Sequence, residues 1–208
     1  MVPQLCWTAD GYSNEMDQVT PKRASIYRAP SWSWLSIDSN LDFYTDNDGK
    51  VDKFRLMFEV LDTILLYKTQ NEFGSILSGH ILGRGMLKLA SLKYESDGVG
   101  RYLEFGNQPV EQGDFWNHKS SQVMIDVGLE ETCDDVMCLP LLSHDILDNS
   151  FTKGYYVGLV LKTKGREAET YERIGAFQID FELGDALLKA DSGDGSRTML
   201  SRRTFTIV

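Results

Sequence analysis

The sequence is poor in the residues that announce chemistry. Its 208 residues hold three histidines, His80, His118 and His144, and three cysteines, Cys6, Cys133 and Cys138. No histidine has a second ligand at the short helical or strand spacing that zinc needs, so no metal site is expected. An odd cysteine count without a pairing framework suits a reducing compartment, and the thiols are expected to be free and mostly buried. The chain lacks a Gly-x-Ser-x-Gly elbow, and nothing ties a cysteine to a histidine, so hydrolase chemistry has no positive support. Basic runs stop at the pairs Lys22-Arg23 and Arg202-Arg203, against 31 acidic and 21 basic residues and a formal net charge of -10. That balance repels phosphate backbones and anionic bilayers, which excludes nucleic acid and membrane as expected partners. No apolar run approaches the roughly 20 residues of a membrane span, and the start lacks a basic-then-apolar leader pattern. A cytoplasmic location is the expectation.

Two loops that invite a ligand fail on inspection. Around Asp46-Asn47-Asp48-Gly49, setting Gly49 at the sixth position of a calcium loop puts Tyr44 first and Arg55 at the bidentate position, where carboxylates belong. Gly79-His80-Ile81-Leu82-Gly83-Arg84-Gly85 lacks the Lys-Ser/Thr of a phosphate loop. No cofactor is expected.

What is present is a globular composition, 42% hydrophobic and 25% charged, enough for one core and one domain over 1–208. Residues 1–26 read as an irregular surface lead-in. After them, alternation from Ser31 to Ile37 places Trp32, Trp34 and Ser36 on one face of a strand. Phe54 to Tyr67 fits two strands or one bent strand, Asn71 to Gly74 a hairpin turn, and Ser75 to Leu92 a glycine-bearing strand region crossed closely by another. Runs at Arg101–Phe105, 121–127, 135–142, 154–163 and 171–181, separated by turn signals such as Lys164-Gly165, continue the pattern. Leu183 to Lys189 reads as one short helix, Asp191 to Ser196 as a loop, and Arg203 to Val208 as a terminal edge strand. The fold class is mainly β: an antiparallel β-sandwich or β-barrel with at most one or two short helices.

Several segments together resemble one family. Leu5-Cys6-Trp7 and Tyr27-Arg28-Ala29-Pro30-Ser31-Trp32-Ser33-Trp34 resemble the opening and the hallmark of the region downstream of the heterokaryon-incompatibility (HET) domain in fungal proteins. Val60-Leu61-Asp62, Phe73-Gly74 with Gly79, Cys138-Leu139-Pro140-Leu141, Gly158-Leu159-Val160-Leu161 and Tyr171-Glu172-Arg173-Ile174-Gly175-Ala176-Phe177 follow in the family's order. The resemblance spans nearly the whole chain but does not include the HET domain itself, so the signalling linked to that domain is not carried over.

Two functions compete. The resemblance implies a non-catalytic binding or regulatory module that offers loops to a protein partner, with an exposed apolar patch and no deep cavity. The alternative is a cofactor-independent fungal secondary-metabolite enzyme that folds a hydrophobic small molecule for cyclisation or cycloaddition in an apolar pocket. For that enzyme the candidate walls are Trp32 and Trp34 with Trp116 as a lid, and the candidate hydrogen-bond donors are His80, Arg84 and Arg173. Arg173 also reads as a planar clamp for a carboxylate.

Overall fold

The computed structural model describes residues 5–10, 22–38, 40–43, 53–70, 75–94, 101–105, 108–110, 122–126, 133–148, 151–165, 169–181, 187–188 and 201–208. Asp46–Gly49, the Asn71–Gly74 turn, Trp116, His118 and the Asp191–Ser196 loop lie outside the described residues. The protein is mainly β. A two-stranded sheet joins β1 (Trp7–Asp10) to β2 (Asn40–Phe43), and an 11-stranded sheet holds the rest.

The centre of the large sheet is three long strands, β10 (Cys133–Asp148), β11 (Phe151–Thr163) and β12 (Thr170–Asp180), paired antiparallel in succession. Their sequences run apolar without alternation, as at Val157-Gly158-Leu159-Val160-Leu161, because both faces are covered. Leu139, Leu141, Val157, Leu159 and Leu161 enter one core, and Val136, Cys138, Val160, Ile174, Phe177 and Ile179 enter another. Over the first core lie β4 (Glu59–Tyr67), β5 (Ile76–Met86) and β13 (Arg202–Ile207), where Phe205 stacks on Phe58 and meets Tyr171 edge-on. Over the second lie β6 (Lys88–Tyr94), β7 (Arg101–Phe105) and β9 (Gln122–Ile125), with β8 (Gln108–Val110) beyond β7.

The long strands can serve two cores because their outer edges change partner part-way. The first half of β10 pairs with β6, and the second half pairs with β3 (Lys53–Leu56). Between them a register shift at Pro140/Leu142 accommodates a proline that has no N–H to give a ladder. On the far edge, β12 pairs with β13 at Thr170 and Tyr171 and with β9 from Gly175 to Gln178. The sheet therefore splits along β12 around residue 173.

Four expectations need correction. The sheet is mixed, since β12 and β13 run parallel. Arg203 to Val208 is no edge strand: β13 lies between β5 and β12 and buries Phe205 and Ile207. Ser31 to Ile37 is not a strand but a turn followed by a 3-10 helix over Trp34–Ser36. Ser33 N–H closes a turn on Pro30 O at 2.9 Å, and Ser33 Oγ accepts from Leu35 N–H at 3.4 Å, so local serine bonding overrides the alternation. The supposed surface lead-in contains β1 and buries Leu5, Cys6 and Trp7. Elsewhere the strand expectations match, with Phe54–Tyr67 resolving into β3 and β4, and Leu187 and Leu188 helical as expected for that segment.

Candidate functional site

The split in β12 creates an unusual demand. At Arg173 the outer edge of the strand faces neither β13 nor β9, so its backbone groups need partners from elsewhere. Ser31 Oγ accepts the Arg173 N–H at 3.1 Å, and Arg23 Nη2 donates to the Arg173 carbonyl. Ser31 Oγ in turn donates to the Val208 carbonyl beside the end of β13. The segment before β2 thus plugs the gap between the two halves of the sheet.

The Arg173 side chain completes the plug from within. It is fully buried, as is Asp126 at the end of β9, and Nε donates to Asp126 Oδ2 at 2.6 Å. Nη1 donates to Leu5 O at 2.8 Å and Nη2 to Trp7 O. The guanidinium carbon lies 3.4 Å above the Trp7 ring, a cation–π contact in a desolvated site. Trp7 Nε1 then donates to Trp32 O at 3.1 Å, linking the first segment to the loop that carries Ser31. The fork geometry of arginine is what lets one side chain meet a carboxylate and two carbonyls at once; lysine has no such plane.

Residues 22–38 close on themselves at their base. Asp38 N–H donates to Lys22 O at 2.9 Å and Ala24 N–H to Ser36 O at 3.1 Å. Arg28 holds Asp38 at 2.6 Å and Ile37 O at 3.1 Å. Apolar residues that the base cannot bury are pushed outward: Ile26 is 76% exposed, Tyr27 52%, and Trp34 and Leu35 46% each.

Beneath this loop runs a solvent-open cleft of about 250 Å³. Tyr27, Ala29 and Pro30 form one wall, Ser78, Gly79 and His80 of β5 the floor, and Arg23, Arg28, Lys164 and Glu172 the charged rim. Glu172 is shared between Arg23 at 3.5 Å and Lys164 at 3.7 Å, and Asp38 is taken by Arg28. Among the described residues three cations thus face two carboxylates at the rim, on a protein of net charge -10. Burial pulls the Arg23 guanidinium below its ordinary value, an effect that Glu172 and Asp126 partly offset. Gly79 is required where it stands, since a Cβ there would lie 2.5 Å from Leu65 Cδ2 and 2.6 Å from Pro30 Cγ.

The candidate residues do not gather into one site. His80 is half-buried in the cleft floor. Trp34 is exposed on the 22–38 loop, whereas half-buried Trp32 packs against the first core, its buried Nε1 without a hydrogen-bond partner among the described residues. Arg84 lies half-exposed on β5, bound to Glu59 Oε2 through Nε at 3.1 Å and Nη2 at 2.7 Å. Arg173 stands behind the cleft wall. His144 is buried in β10, its Nδ1 2.5 Å from the Tyr155 hydroxyl, whose ionisation burial pushes up to about 12. Cys6 and Cys138 are buried, and neither forms a disulfide among the described residues. Among the described residues no three His, Cys, Asp or Glu side chains gather as metal ligands, and no helix is long and apolar enough to cross a membrane.

Sequence reasoning missed Asp126, Ser31, Arg23 and Trp7 as members of one network. The available signal was Asp126 itself, a lone carboxylate ending the apolar run Val123-Met124-Ile125. No family model, curated protein or solved structure matches the chain.

Proposed function

We propose that this protein is a binding or regulatory module, similar to the region downstream of fungal HET domains, that presents the 22–38 loop and its cleft to a protein partner. The observation that carries this reading is that Ile26, Tyr27, Trp34 and Leu35 are all exposed on the 22–38 loop of an acidic protein, with Ile26 and Tyr27 lining a cleft that has a charged rim. Large apolar side chains exposed on one loop next to a concave site mark an interaction surface. The segments that carry the resemblance support it by their placement: Leu5-Cys6-Trp7, Ser31 and Tyr171 to Phe177 meet around Arg173, and Gly79 abuts Pro30, so together they hold the loop in position. The alternative, a cyclising enzyme, calls for a water-excluding apolar pocket. An open cleft with a charged rim favours the binding reading over it.

The partner segment that fits combines a bulky apolar residue for the patch with an adjacent carboxylate for the rim. Selection from a displayed random-peptide library tests this. Enriched sequences should share an acidic residue next to an aromatic or aliphatic one, and Tyr27→Ala with Trp34→Ala should weaken their binding at least about tenfold, as loss of aromatic anchors does, with little change in melting temperature. Enriched peptides that bind the double variant as well as the parent would contradict the assignment.

A further inference from the structure

We propose that β4 pairs antiparallel with β4 of a second copy of this chain, extending the large sheet across a two-fold axis through Leu65. This surface is separate from the 22–38 loop and does not depend on its role. Among the described residues β4 ends the sheet, with β5 on one side and no strand on the other. Such edges are normally short or heavily charged, because their backbone groups template further pairing. Here the edge is nine residues long, and Leu61, Ile64 and Leu66 are 44%, 41% and 56% exposed, with Leu77 of β5 adding to the same apolar surface at 57%.

The backbone phase and the side chains agree on one register. Of the two register shifts between β4 and β5, one leaves Leu61 as the extra residue on β4 and the other leaves Leu77 extra on β5, so on β4 itself Asp62 to Lys68 alternate regularly, with Asp62, Ile64, Leu66 and Lys68 exposed and Thr63, Leu65 and Tyr67 half-buried. Lys68 N–H reaches Ser75 O across the hairpin at 2.8 Å. Counting back by twos, the even-numbered residues direct their backbone groups to β5 and the odd-numbered ones to the open edge. Consistent with this, Thr63 N–H donates to the Asp62 carboxylate at 2.8 Å. A two-fold axis perpendicular to the sheet keeps each residue on its own face and can pass between two opposed odd residues, a hydrogen-bonded pair, or two opposed even ones, a non-hydrogen-bonded pair.

Centring on Thr63 sets Asp62 against Ile64 of the second copy, centring on Ile64 sets Asp62 against its Leu66, centring on Leu66 sets Ile64 against its Lys68, and centring on Tyr67 sets Leu66 against its Lys68. Centring on Leu65 sets Ile64 against Leu66 and Asp62 against Lys68 of the second copy, each twice. That register alone matches apolar to apolar and acid to base, which is what selects a second copy as the occupant.

The test is sedimentation velocity of the full chain across a micromolar concentration series, with Asp62→Lys, Lys68→Asp and the combined variant. The unmodified protein should pass from monomer to dimer. Each single reversal should weaken the dimer about tenfold, because each change acts at two symmetric pairs. The combined variant should associate like the unmodified protein. Within one chain positions 62 and 68 lie about 20 Å apart at roughly 3.3 Å per strand residue, so rescue can arise only between copies. A monomer at every concentration overturns the proposal, whether the edge is bare or takes a strand from another protein. A dimer that ignores both reversals, or that the combined variant fails to restore, overturns it equally.

Discussion

A buried arginine is a costly residue, and Arg173 shows what makes one tolerable. Desolvating two charges costs several kcal/mol per ion, recovered only when the geometry is close and the remaining donors are satisfied. Asp126, Leu5 O and Trp7 O supply that satisfaction, and the Trp7 ring covers the guanidinium face. The same environment acts on a neighbouring thiol. Burial raises the Cys6 thiol from its ordinary 9.0 to about 12, against a smaller lowering by Arg173. Because the folded thiol keeps its proton to higher pH than the unfolded one, its stabilising contribution is full below pH 9 and is lost as pH rises toward 12. Unfolding free energy measured by urea titration should fall with pH above 9, with Cys6 contributing up to about 1.4 kcal/mol per pH unit. Cys6→Ala should remove that share of the slope and leave the share of Cys138, which burial also raises. An unchanged slope in the variant would contradict the burial of Cys6.

At the scale of elements, the 22–38 loop and the sheet meet at Gly79. Leu65 on β4 and Pro30 in the loop both occupy the space a side chain would need there. Gly79→Val should therefore cost about 1–3 kcal/mol, the usual range for overpacking, and should shift the fluorescence of Trp34 as the loop is lifted. A variant with unaltered stability and spectrum would mean that the loop does not rest on β5.

Strands were legible where alternation or apolar continuity reflects burial, which is why β3 to β7, β9, β11 and β12 fall within or close to the expected spans, whereas β10 runs on to Asp148, well past the expected end at Leu142. Pairing partners were not. Arg203 to Val208 alternates like an edge strand, yet it is inserted between β5 and β12, because alternation reports on faces and not on edges. The Trp-Ser-Trp-Ser run misled for a related reason: period two also arises when serines cap a turn. The site was legible in pieces. Of the described candidate residues only His80 lines the cleft, and Arg173 was recognisable as a clamp for a carboxylate. Its partner was not, since Asp126 lies 47 residues away with no local pattern to join them.

Over the whole molecule, the two cores are held together by three continuous strands and by one side chain at the place where the sheet divides. Arg173 joins β12 to residues 166 and 168 positions away, at Trp7 and Leu5, and through its backbone to Ser31, 142 positions away. The loop proposed to bind a partner is therefore positioned by long-range contacts rather than by its own turns. The most direct test of this account is the equilibrium unfolding of Arg173→Ala, followed by far-UV circular dichroism in urea. Removing one member of a buried pair strands Asp126 and the carbonyls of Leu5 and Trp7, so the variant should lose about 3–5 kcal/mol. A midpoint equal to that of the unmodified protein would contradict the structural role of Arg173 and return it to the residues available for contact with a substrate.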